Sequence, residues 1–139
     1  MSKPEPFVKR LEDVKPETWS DARGRLSFHT LVSGDVTPSK GLTAGVTIVP
    51  PGGELAIHSH APPEIYFAFE GVAIVTIEGI ERTVSVGATV FIPGNALHAI
   101  RNPFDADFKM FYVFPADRFD EIEYKFVERT PLPKGEGQG

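Results

Sequence analysis

Apolar and polar residues alternate along this chain with a period of two, and a helical period is almost absent. The alternation predicts strands at Leu26–Val32, Leu42–Val49, Glu54–His60, Glu64–Glu70, Val72–Glu78, Glu81–Val86, Thr89–Ile92, Ala96–Arg101 and Phe108–Phe114. Thr, Val, Ile and Phe dominate them, as a pleated half-buried surface prefers. Turn signals separate them: Pro50-Pro51-Gly52-Gly53, Pro62-Pro63, Glu70-Gly71, Glu78-Gly79, Pro93-Gly94-Asn95 and Asn102-Pro103. Many short strands at close spacing indicate an all-β antiparallel sandwich or barrel. Short helical turns are expected near Pro16–Trp19 and at Ala116–Glu121. Two strands are apolar on both faces: Tyr66 and Ala68 back onto Ile65, Phe67 and Phe69, while Met110, Tyr112 and Phe114 back onto Phe111 and Val113. One small domain has limited means of covering both faces of a sheet, so a homodimer is expected.

The 139 residues make one ordinary domain. It divides into an N-terminal segment (1–25), a barrel (26–127) and a flexible polar tail (128–139). The net charge of −5 is dispersed and Lys/Arg clusters are missing, which argues against nucleic acid or an anionic membrane as partner. No apolar run approaches the ~20 residues that span a bilayer. The first residues, Met1 to Pro6, have no apolar core of a signal peptide, so a cytoplasmic location is expected. The absence of cysteine excludes disulfides and thiolate ligands.

Candidate chemistry concentrates in Gly52–Glu64. In a strand His58 and His60 share a face, about 7 Å apart by the strand rise, and can reach toward one point. Glu64 follows four residues later and His98 stands in a second Gly/Pro-punctuated strand. A His-x-His pair alone also arises where exposed positions alternate. Glu64 and His98, each beside turn residues, complete the ligand set of a divalent transition metal: His58, His60, Glu64 and His98. Fe, Ni, Mn, Zn and Co all suit it. His29 lacks such company and reads as structural.

These residues resemble the cupins. Gly52, His58, His60, Glu64 and Gly71 fill every slot of that family's first motif. Gly87, Pro93, His98 and Asn102 match the second, with Asn95 where the family has Gly. Asn tolerates the left-handed backbone that such a position needs. The resemblance implies a single-domain double-stranded β-helix, a small jelly-roll barrel with the metal inside.

Residues 42–126 also resemble the small single-domain cupin lyases that cleave dimethylsulfoniopropionate (DMSP) to dimethyl sulfide and acrylate. The stretches His58–Tyr66, Ile92–His98 and Phe114–Tyr124 carry that likeness. It implies a catalytic base at Tyr66 and a second functional tyrosine at Tyr124. Independently, Tyr66 lies two residues after Glu64, so both face the metal side of a strand beginning at Glu64. A substrate carboxylate on the open metal positions, with a phenol lowered by the nearby dication, suits α-proton abstraction and β-elimination. Aromatic faces are what would hold the sulfonium; Trp19, Tyr112 and Tyr124 are candidates. Asp117 and Arg118 read as a turn-stabilising pair. Other activities compatible with the barrel are a metal-dependent oxygenase or isomerase of a small acid or sugar, and a non-enzymatic module binding a small ligand.

Overall fold

The period-two pattern becomes a single antiparallel sheet in the computed structural model, which describes residues 3–127. The strands are β1 (Glu17–Asp21), β2 (Gly24–Val32), β3 (Thr43–Val49), β4 (Glu54–Ser59), β5 (Glu64–Glu70), β6 (Val72–Ile77), β7 (Ile80–Ser85), β8 (Thr89–Ile92), β9 (His98–Arg101), β10 (Phe108–Phe114) and β11 (Lys125–Phe126). Their order is β7-β6-β9-β4-β2-β3-β10-β5-β8, with β1 added to β2 and β11 to β4. Inner-face residues from one end of this path to the other, Val84 on β7 through Ile92 on β8, belong to one core cluster. The sheet therefore curls around a common interior, the all-β barrel that the pattern and the resemblance imply. Among the described residues no helix is long and apolar enough to cross a membrane.

All nine predicted strands are present, with ends shifted by no more than two residues. Two short strands are additional. β1 replaces the helical turn expected near Pro16–Trp19: Glu17 to Asp21 pair with β2, and only Trp19 is buried. The turn expected at Ala116–Glu121 is a 3-10 turn at Phe119–Glu121. The tail from residue 128, expected to be flexible, lies outside the described residues.

Turn chemistry positions the strands that carry the site. Glu78 and Gly79 both have positive φ, 49° and 81°, and form the two-residue hairpin between β6 and β7. Asn95 has φ 66°, the left-handed backbone expected of it. Its N–H donates to the His60 carbonyl at 2.8 Å, so the turn before His98 is pinned to the segment holding His60.

A second clamp joins the two motifs at their far ends. Gly52 N–H donates to the Asn102 carbonyl at 2.7 Å, and Asn102 N–H donates to the Gly53 carbonyl at 3.0 Å. The buried Asn102 amide donates to Val49 and Ala106 carbonyls at 2.9 and 2.8 Å and accepts from Phe104 N–H at 3.0 Å. Asn102→Ala leaves the buried Val49 carbonyl without its donor and turns the Ala106 and Phe104 groups over to water. It is expected to lower unfolding free energy by about 3 kcal/mol, read from denaturant titration. An unchanged midpoint would show that water replaces the amide.

Candidate metal centre

His58 and His60 project from one face of the β4 edge, and His98 opens β9. The β4–β9 register sets His58 directly opposite His98. All three imidazoles are buried, at 0–1% exposure, and one ring nitrogen from each lies within 4.8 Å of the others. Glu64 opens β5 and is also buried. Its Oε1 lies 3.1 Å from His60 Nε2 and 3.6 Å from His98 Nε2. The structure thus brings the three histidines into one cluster that could hold a metal ion, and sets Glu64 beside His60 and His98 but outside that cluster. His29, on β2, stands apart, with Ser27 Oγ at 3.3 Å from its Nε2.

Backbone carbonyls set the state of each ring. His58 Nδ1 bonds the Ala56 carbonyl at 2.7 Å, His60 Nδ1 the Pro62 carbonyl at 2.8 Å, and His98 Nδ1 the Ala96 carbonyl at 2.9 Å. A carbonyl only accepts, so each Nδ1 carries a proton, and a neutral ring then presents the lone pair of its Nε2. His58 Nε2 and His98 Nε2 are buried without a partner. His60 Nε2 lies within hydrogen-bond distance of Glu64 Oε1, 3.1 Å. Lone pairs converging on a carboxylate in a dry interior call for a cation among them. The three buried histidines could hold a metal ion, and the donor types suit a divalent transition ion. Burial, with His98 beside it, lowers the His58 pKa to about 3, which keeps its imidazole neutral as ligation requires.

Aromatic rings line the approach. Tyr124 stacks on His58 at 4.9 Å between centroids and 10° between planes, and lies 5.2 Å from His60. Tyr66 is fully buried on the inner face of β5 between Glu64 and Ala68, and Tyr112 of β10 is its cross-strand partner. Burial pushes the phenols of Tyr66 and Tyr124 well above their ordinary value, and the Glu64 carboxylate adds to both shifts. The lowering expected at Tyr66 therefore requires positive charge at the histidines.

Two further expectations change. One face of Trp19 is taken by the Arg23 guanidinium, 3.9 Å above it, so the chain supplies its own cation there. Arg118 pairs with Asp120 at 2.7 Å, not with Asp117, whose carboxylate instead accepts from Gly41 N–H at 2.8 Å. Arg118 has extended backbone, φ −151° and ψ 149°, which turns neighbours to opposite sides and brings the residue two along into reach. Sequence reasoning missed Phe114 and Phe126, whose rings lie 5.0 Å from His60 and 5.4 Å from His58. Nothing distinguishes them from core phenylalanines in sequence. It also missed the three orienting carbonyls, which have no side-chain signature.

Residues 45–114 match the family described as "Cupin domain". The chain is a cupin. Its relatives include the dimethylsulfoniopropionate lyase DddW of Ruegeria pomeroyi, 35% identical over 105 residues, covering 75% of this cupin and 68% of the relative. Among solved structures, the polyketide cyclase RemF of Streptomyces resistomycificus superposes with a TM-score of 0.77 at 18% identity, covering 97% of this chain and 94% of that one. A predicted oxalate decarboxylase of Thermotoga maritima gives 0.71 at 24% identity, over 79% and 99% of the two chains. At such identities the superpositions establish the fold alone.

Proposed function

We propose that this cupin is a metal-dependent carbon–sulfur lyase that cleaves DMSP to dimethyl sulfide and acrylate. The likeness to the Ruegeria lyase carries the reading, and the inward placement of Tyr66 near Glu64 and of Tyr124 beside His58 and His60 supports it. His58, His60, Glu64 and His98 hold the ion. A divalent ion bound there supplies Lewis acidity to a substrate carboxylate and opposes the push of Glu64 on the phenols.

The remaining chemistry belongs to side chains of this chain. Tyr66, ionised, takes the proton from the carbon next to the substrate carboxylate. The electron pair of that C–H bond becomes the new C=C bond, and the neighbouring C–S bond breaks. Sulfur leaves with its bonding electrons as neutral dimethyl sulfide, and acrylate remains. Tyr124, stacked on His58, orients the substrate and closes the approach with its ring. The apolar walls exclude water, which raises the weight of each charge in the pocket. Headspace gas above metal-replete protein and DMSP is expected to contain dimethyl sulfide, with equimolar acrylate in solution. Metal-replete protein that releases neither product rules the reading out.

The same reading takes the protein as a homodimer. Ile65, Phe67, Phe69, Phe91 and Phe111 are each 37–62% exposed on the outer face of β5, β8 and β10. Phe111 stands opposite Phe67, and Phe91 opposite Ile65, so the rings form a contiguous patch. A second copy of the chain is the simplest cover for such a face. Sedimentation is expected to give a dimer for the wild type and a monomer for Phe67→Glu. A monomeric wild type at tens of micromolar would refute the assignment.

A further inference from the structure

A glycine shapes the inner face of the sheet beside Tyr66. Tyr66, Tyr112, Gly45 and Thr30 stand in register across β5, β10, β3 and β2. Side chains paired in this way on one face have Cβ atoms ~5 Å apart and ordinarily pack on each other. Tyr112 instead leans off β10 toward β3 and lies across Gly45, where an added Cβ would stand 2.6 Å from its Oη and 2.9 Å from its Cζ. The rings packed on Tyr112 are those of Phe28, Phe114 and Phe119, and none of these is on β5. Its hydroxyl is buried without a hydrogen bond of full geometry, so the room over Gly45, not polar attraction, sets the lean.

The lean draws the Tyr112 ring away from Tyr66. The next inward residue of β5 is Ala68, which is buried and stands opposite Met110 of β10. A methyl group and a flexible thioether therefore floor the face beyond the two tyrosines. At the other end stands Glu64, two residues before Tyr66 and 3.1 Å from His60 Nε2.

We propose that the space between the Tyr66 and Tyr112 rings is the slot for the substrate chain, and that Gly45, by seating Tyr112, sets its width. Gly45 and Tyr112 then decide how large a group the substrate carries on the carbon beyond the one that loses its proton. The assignment deepens the lyase reading and rests on it for the direction in which the substrate lies. Ligand size selectivity is independent of turnover and is measured separately.

The probes are two carboxylates that cannot be cleaved, titrated by calorimetry into the full chain loaded with nickel(II). Propionate ends at the carbon that would carry sulfur, and 4-methylpentanoate is the neutral isostere of DMSP with its branched end. Gly45→Ala pushes the Tyr112 ring toward β5. It is expected to weaken 4-methylpentanoate about tenfold, the scale of one methylene in a closed pocket, and propionate by less than about twofold. In a Tyr112→Leu background the same substitution is expected to lose that selectivity, because no ring remains to be displaced. The added Cβ also meets the His29 carbonyl of β2, so Gly45→Ala has a second route to harm, through the fold itself. Ala68→Val narrows the slot from β5 without touching the β2–β3 pairing, and the same selective loss is expected. A loss equal for the two acids, or absent, in either folded variant overturns the proposal, as does a wild type that does not bind 4-methylpentanoate. Dimethyl sulfide release without size selectivity removes the slot and leaves the lyase. Size selectivity without release does the reverse.

Discussion

Tyr66→Phe is expected to reduce dimethyl sulfide release by about 10²–10⁴-fold, the range of a positioned general base, with metal content unchanged. The substitution removes one oxygen from a ring that is otherwise fully buried, so packing on the inner face of β5 is preserved. Tyr66 is not among the four residues assigned to the ion, and elemental analysis should therefore match the wild type. The alternative role is a tyrosine that only orients Glu64. In that case loss of the hydroxyl lowers metal affinity and leaves kcat at saturating metal nearly intact. Measuring kcat at several metal concentrations separates the two outcomes. A variant with unchanged turnover when fully loaded would remove Tyr66 from the chemistry.

The pH profile follows from the same groups. Burial and Glu64 raise the Tyr66 phenol above its ordinary value, and a positive charge at the histidines works against both. Because the active form of a base is the ionised one, activity is expected to rise with pH through the Tyr66 pKa of the metal-loaded protein. Tyr66→Phe is expected to lose that alkaline limb, and retention of the limb in the variant would assign it to another group.

Much of the fold was legible because alternation and turn chemistry point the same way. Phe108–Phe114 buries every second residue on the inner face, as its spelling implies. Asn95 was readable as a left-handed residue because few other side chains tolerate that backbone. β1 was not readable: Glu17, Thr18, Ser20 and Asp21 are exposed, and a single buried Trp19 gives no period. β11, with two residues, is too short to show one. For the site, His58 and His60 were placed by strand geometry, whereas the approach of His98 depends on the β4–β9 register, which only the folded sheet defines. The raised phenols at Tyr66 and Tyr124 were illegible for a related reason. Their direction is set by burial, and residue spacing carries the identity of a neighbour but not the dryness around it.

Burying three imidazoles and a carboxylate together opposes folding. Each unpaired polar group in an apolar interior costs about 1–3 kcal/mol. The barrel tolerates this because large side chains fill the rest of its inside: Phe108, Phe114, Ile92, Val49 and Ile100 are all essentially inaccessible. Each contributes about 1.5–3 kcal/mol on burial. An ion that joins the site relieves the unpaired groups, so added metal should raise the thermal midpoint in proportion to its affinity.

His98→Ala is therefore expected to remove metal binding and turnover together. The variant removes, from β9, one of the four ligands proposed for the ion and with it a buried, unpartnered Nε2. Metal per chain should fall from about one to below about 0.1 after dialysis, because a structured transition-metal site loses most of its affinity with a ligand. Dimethyl sulfide release should fall to background with it. The metal-free variant loses one unsatisfied nitrogen but leaves the Ala96 carbonyl without its donor and a cavity behind, so it should unfold earlier than the metal-free wild type. Its midpoint should no longer respond to added metal, while that of the wild type rises. A His98→Ala protein that keeps a full equivalent of metal would remove His98 from the ligand set and leave His58, His60 and Glu64 to hold the ion alone.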